Sequence, residues 1–253
     1  MIRLTVNPIA ESATLMRRMG VVLGSIGVTA LYSSLVLLRS LTGRLTRSRV
    51  DRYCRDWSAL LLRLVRVDLR VRGDIPDFED GRRYIILCSH ASHYDIPLSF
   101  VALPGSIRML AKKEMFAIPL LGPAMRAAEF PSVDRSNHER ALADLQKARA
   151  MMESGIVLWA APEGTRSPDG ELGRFKKGCF HLALDTRAII VPVGISGNER
   201  VLPARTWQIN LGQRVDFCVG EPLDSRDYSR EQLPELMAEV RRRIERERMR
   251  AAG

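Results

Sequence analysis

Residues 84–95 read Tyr-Ile-Ile-Leu-Cys-Ser-His-Ala-Ser-His-Tyr-Asp. The first five form an unbroken apolar run of strand length, and the chain then turns abruptly polar. A continuous apolar run suits a strand covered on both faces, because a strand with one wet face alternates instead. The same pattern recurs downstream, giving strand candidates at Ile107–Leu110, Ile156–Trp159, Ile189–Gly194 and Arg214–Val219. Helical stretches separate them. At 137–154, Ser136 and Glu139 offer a capping box, Leu142, Leu145 and Met152 share a face, and Gly155 ends the element. At 230–248, Leu233, Leu236, Met237, Val240 and Ile244 form one stripe. From about Val71 onward, this alternation predicts an α/β fold with a mostly parallel central sheet flanked by helices.

In such folds the functional loops gather at the carboxyl ends of the strands, where the chain leaves the sheet. The unusual residues here occupy those positions. After the first strand candidate come Ser89-His90-Ala91-Ser92-His93-Tyr94-Asp95, a histidine followed five positions later by an aspartate. Glu129-Phe130-Pro131-Ser132-Val133-Asp134-Arg135 follows, then Ala161-Pro162-Glu163-Gly164-Thr165-Arg166-Ser167, and Pro192 lies within Ile190–Val193.

The net charge of +10 is concentrated upstream. Residues 1–72 contain 13 Arg, no Lys and four acidic residues, a surplus of +9, so the remainder is nearly neutral and a nucleic-acid partner is not expected. Within this segment Met19–Leu38 is uncharged for 20 residues, flanked by Arg17, Arg18 and Arg39. As a helix it extends roughly 30 Å, the thickness of a bilayer's hydrocarbon core. Residues 50–67 interleave Leu and Trp57 with Arg, as in a helix lying at a membrane interface. The expected organisation is a two-helix membrane anchor over 1–72 and an α/β domain over 73–253. The Arg-rich flank after the apolar run predicts that this domain lies on the cytoplasmic side, at the inner membrane if the source is bacterial. A cleaved signal peptide and a buried soluble helix are the plainer readings of the run. Four dispersed cysteines without a CxxC pair suggest neither disulfides nor a thiolate metal site.

The order, spacing and residue types of the four motifs resemble the 1-acylglycerol-3-phosphate acyltransferase family of glycerolipid acyltransferases. The resemblance spans about residues 80–200, and the upstream segment is similar to the family's two-helix element. Two positions depart from the pattern: Ser89, where asparagine is common, and Ala161, where an aromatic residue is usual. The resemblance implies transfer of a fatty acyl group from acyl-CoA or acyl carrier protein to the free hydroxyl of lysophosphatidic acid, with no cofactor. Membrane lipids, the acyl carrier and a lysophospholipid acceptor are the implied partners. It also implies that Glu163 belongs to the acceptor-binding motif and Pro192 to the acyl-binding one.

The chemistry follows from the residues. An alcohol attacking a thioester loses its proton in the transition state, and neutral imidazole suits that task near pH 7. His90 is the candidate base and Asp95 the carboxylate that fixes its tautomer. A phosphate monoester acceptor calls for guanidinium forks, which Arg135 and Arg166 supply, and for close backbone approach, which Gly164 permits beside the Thr165 hydroxyl. Lys112, Lys113, Lys176 and Lys177 flank these loops and read as solvated surface. Several alternatives stay open. His93 competes with His90, and His90, His93 and Asp95 together could hold a metal in a hydrolase. Ser92 or Cys88 could act as a covalent nucleophile, although direct transfer is the expectation. Another lysolipid, such as a lyso-ornithine lipid, could be the acceptor. A non-enzymatic membrane-binding protein would have no use for the loop motifs.

Overall fold

The computed structural model describes residues 3–4, 11–134, 138–167, 171–203 and 206–252. In chain order the strands are β1 (Arg3–Leu4), β2 (Glu11–Ser12), β3 (Asp68–Arg72), β4 (Tyr84–Cys88), β5 (Ile107–Met109) and β6 (Ala111–Lys112). Then follow β7 (Ser132–Val133), β8 (Val157–Ala160), β9 (Ile189–Ser196), β10 (Asn210–Leu211), β11 (Arg214–Val219) and β12 (Leu223–Asp224). The α-helices are α1 (Leu15–Leu41), α2 (Arg47–Leu64), α3 (Asp95–Ala102), α4 (Leu121–Ala127), α5 (His138–Glu153), α6 (Gly178–Thr186), α7 (Asn198–Val201) and α8 (Leu233–Ala252).

Among the described residues one eight-stranded sheet dominates, in the order β1-β3-β11-β9-β4-β8-β5 with β12 beside β9. Its centre is parallel: β4 pairs with β9 and β8, and β8 with β5. The expected parallel sheet holds at the centre, while the flank is mixed: β11 is parallel to β3 but antiparallel to β9, and β12 with β9 and β1 with β3 are antiparallel. A parallel return needs a crossover of a dozen or more residues, usually a helix. Between β9 and β11 the described residues form only the four-residue α7 and the two-residue β10, with no crossover helix.

The central strands are buried on both faces, as their apolar runs require. Ile86 and Cys88 join the core that includes Leu98 and Phe100 of α3 and Leu62 of α2. Ile85 and Leu87 point to the opposite face, into the core of Met152, Phe180, Leu236 and Val240. Helices α5, α6 and α8 therefore cover one face, and α2 and α3 the other.

At the N-terminal side, α1 is the only described helix long and apolar enough to cross a membrane, and little of it is buried. The Thr14 hydroxyl caps it by accepting from the Arg17 N–H. Leu15, Met16, Met19, Leu23, Ile26, Leu31 and Leu38 remain exposed. Its buried apolar residues, Val21 and Val36, sit in different clusters near opposite ends, so the helix lies lengthwise along the protein. Helix α2, expected as an interfacial helix, turns Val50, Leu61 and Leu62 inward. The boundary expected at 72/73 falls at the end of β3, which is paired in the sheet with β11. Ser136 of the proposed capping box lies outside the described residues, as does the Glu139 side chain.

Two charged clamps join this helical layer to the sheet edge. Arg47 grips Glu129 through two hydrogen bonds of 2.7 Å. This contact lowers the Glu129 carboxyl below its ordinary range. Arg108, fully buried on β5, donates to Asp51 of α2 at 2.6 Å and to the Ala128 carbonyl at 2.6 Å.

Candidate active site

The parallel centre brings the carboxyl ends of β4, β8 and β9 to one edge, and the sequence motifs leave the sheet there. The loop from Ser89 carries His90 and closes at once on Asp95, the first residue of α3. His90 Nδ1 lies 2.7 Å from Asp95 Oδ2. That oxygen also accepts from the backbone N–H groups of Ala91 (3.0 Å) and Ser92 (3.1 Å). Three donors on one oxygen make Asp95, itself fully buried, an acceptor, which assigns the shared proton to Nδ1; in the neutral ring Nε2 then carries the lone pair. Among the described residues none hydrogen-bonds to Nε2. The ring stands edge-on to Trp159 at 6.3 Å between centroids.

The motif after β8 folds back onto this loop. Ser167 N–H donates to the His90 carbonyl at 2.8 Å. Glu163 is 5% exposed, and its two oxygens accept from His90 N–H (3.0 Å) and Gly173 N–H (2.8 Å). The structure thus makes Glu163 a brace between two loops, with both carboxylate oxygens occupied. Gly164 takes a φ of +73°, the left-handed conformation that glycine adopts without a Cβ penalty, in a turn that leaves Thr165 exposed and Arg166 half-buried. Among the described residues Arg166 makes no hydrogen bond or ion pair. His93 is exposed in the same loop as His90. Partial desolvation, then the nearby charges of Arg166 and His90, lower its pKa below the ordinary histidine value.

Other expected residues fall elsewhere. Pro192 sits inside β9 in register with Leu87, and a Cβ on Gly220 would come within 3.1 Å of its ring, so it belongs to the sheet and not to the loop cluster. Arg135 lies outside the described residues; its neighbour Asp134 is buried and bonded to Lys113 Nζ at 2.8 Å. Cys88 is fully buried, and burial raises its thiol well above the ordinary range, which leaves little thiolate. Ser92 is also fully buried, with its hydroxyl directed to the Leu202 carbonyl at 3.4 Å. Among the described residues no group of three or more His, Cys, Asp or Glu side chains is placed to hold a metal ion.

One residue of the cluster has no counterpart in the sequence reading. Asn198, fully buried, donates from Nδ2 to Asp95 Oδ1 across 103 positions of sequence. Its signal was the polar residue that follows Gly197 at the carboxyl end of β9, the same place that Ser89 and His90 hold after β4.

Comparison with known proteins matches this architecture. The acyltransferase family model covers residues 68–196, half of the chain, which therefore belongs to the acyltransferase family. The 1-acyl-sn-glycerol-3-phosphate acyltransferase of Cocos nucifera is 41% identical over 118 residues, 46% of this chain and 38% of that protein. The enzyme of the same name from Limnanthes alba is 31% identical over 184 residues, 72% of this chain and 64% of that one. The chain thus spans less than two thirds of the length of these relatives. The crystal structure of the 1-acyl-sn-glycerophosphate (LPA) acyltransferase PlsC from Thermotoga maritima has a TM-score of 0.74 at 27% identity, over 92% of this chain and 95% of that one.

Proposed function

We propose that this protein transfers a fatty acyl group from the thioester of acyl-CoA or acyl carrier protein to the free hydroxyl of lysophosphatidic acid, forming phosphatidic acid. The observation that carries the reading is the His90–Asp95 pair at 2.7 Å, with no partner on Nε2 among the described residues and the charge of Arg166 acting on the same loop at His93. The names of the relatives support the same acceptor.

In this mechanism Nε2 of His90 takes the proton of the acceptor hydroxyl as its oxygen attacks the thioester carbonyl carbon. Asp95 holds the ring and stabilises the imidazolium that forms. The tetrahedral intermediate then expels the carrier sulfur, and the imidazolium returns the proton to the departing thiolate. Base catalysis of this kind contributes about 10²- to 10⁴-fold. The remainder comes from holding both substrates together. Arg166, Thr165 and the Gly164 backbone take the acceptor phosphate, with Arg135 as a second guanidinium. Glu163 serves acceptor binding by holding the loop that carries them, and Pro192 shapes the sheet beneath the acyl-binding region. Helix α1 anchors the protein, and the sheet with its covering helices, including β3 and α2 from the first 72 residues, performs the reaction on the cytoplasmic side. The exposed apolar stripe of α1, lying lengthwise on α2, supports an anchor that meets lipid along its side.

Purified protein in vesicles, given one acyl-CoA and a panel of lysolipids, tests the proposal by release of free thiol. Lysophosphatidate is expected to be the preferred acceptor. Preference for a lyso-aminolipid would replace it, and absence of thiol release with every acceptor and both carriers would remove it.

A further inference from the structure

Asp95 divides its two oxygens between different tasks. Oδ2 serves His90 and two backbone N–H groups, whereas among the described residues Oδ1 meets Asn198 Nδ2 alone. We propose that Asn198 is a positioning residue: its donation to Oδ1 fixes the plane of the Asp95 carboxylate and so keeps His90 protonated on Nδ1, with Nε2 directed at the acceptor hydroxyl. This rests on the reading of His90 as the base.

Two independent features support the role. An amide facing a carboxylate can present only its NH₂ group. That orientation strands the other end: Asn198 Oδ1 is buried with no partner among the described residues. Buried polar atoms are nearly always paired, so an unpaired one points to a requirement at the opposite end of the same side chain. The backbone is also shaped for the contact. Gly197 has a φ of +91°, and a Cβ there would run into the Arg214 carbonyl, so the turn that delivers Asn198 from β9 accepts only glycine. Because β9 and β4 are parallel neighbours, that turn and the His90 loop leave the sheet at the same edge. The other titratable groups whose charges act on or with Asp95 are His93 and Cys88. Neither supplies a donor to Oδ1.

The test compares wild type with Asn198→Asp and Asn198→Ala, full length, in phosphatidylcholine vesicles containing lysophosphatidate and palmitoyl-CoA, between pH 6 and 9. Asn198→Asp keeps the shape and exchanges the donor for a second carboxylate. At pH 8 its kcat is expected to fall about 10- to 100-fold with the acceptor KM unchanged. Activity then recovers as the pH is lowered and one proton bridges the two carboxylates. Asn198→Ala is expected to lose kcat without that recovery. A second readout needs no substrate: the rate at which diethyl pyrocarbonate modifies His90, measured by peptide mass spectrometry against the exposed His181, is expected to drop severalfold in both variants. A wild-type pH profile and kcat for Asn198→Asp, or an unchanged His90 modification rate, would overturn the positioning role. A slowed modification rate in a protein that acylates no lysolipid would uphold the positioning role and refute only the proposed reaction.

Discussion

The crevice at the carboxyl ends of β4, β8 and β9 and the helical layer of α1 and α2 present opposite burial problems. In the crevice polar groups are taken out of water and both carboxylates are matched, Asp95 by four donors and Glu163 by two, while Ser89 Oγ, Trp159 Nε1 and Asn198 Oδ1 lack a partner among the described residues. On α1, large apolar side chains are left outside, with Met16 85% and Leu23 64% exposed. A buried charge is tolerable only when its partners are in place. An exposed apolar stripe of this length marks a surface that meets something apolar. The first region is therefore held by hydrogen bonding, and the second leaves an apolar face uncovered among the described residues.

Predictions can separate the two regions. The largest effect is expected from His90→Ala, which should cost at least about 10²- to 10⁴-fold in kcat while leaving vesicle binding unchanged. Near-normal turnover by this variant would break the assignment of chemistry to the crevice. Next comes the seam. Asp51→Ala strands the fully buried Arg108, whose Nη2 already lacks a partner among the described residues, and is expected to destabilise by about 3–5 kcal/mol in urea unfolding. The double variant Asp51→Leu with Arg108→Met should recover most of that, because it removes both charges together.

On the helical layer, Leu23→Asp or Ile26→Asp is expected to weaken vesicle partitioning by about 2 kcal/mol each, some 30-fold, without changing kcat on a water-soluble short-chain acceptor. Unchanged sedimentation with vesicles would show that lipid is met elsewhere. Arg166→Ala should raise the acceptor KM about tenfold with a smaller change in kcat. The smallest effect concerns His93. Its folded pKa is lowered, so as the pH falls below about 6.5 the unfolded chain takes up the proton first and this residue's contribution to stability declines. His93→Gln should therefore show a shallower loss of thermal midpoint between pH 7 and 5.

Much of the crevice was legible because its signals are local. The five-residue run at Tyr84–Cys88 and the turn to Ser89 and His90 specify a buried strand and a loop within a dozen residues, and the His90 to Asp95 spacing fits one turn leading into α3. Strands β1, β3 and β12 escaped notice: β1 and β12 are two residues long, and β3 reads Asp-Leu-Arg-Val-Arg with no apolar run. Helix α2 misled for a related reason. Its Leu61 and Leu62 stripe is amphipathic whether the apolar face meets lipid or protein, and only the neighbouring α3 decides.

The sequence by itself determined the central strands, the loops that follow them, the His90 and Asp95 pairing and the apolar length of α1, since each depends on periodicity or spacing over a few turns of chain. Tertiary structure alone decided that β11 returns antiparallel, that Glu163 braces His90 across 73 positions, and that Asn198 reaches Asp95 across 103. Those contacts follow from strand order and register, which bring distant residues to one sheet edge and leave no periodic trace in the chain between them.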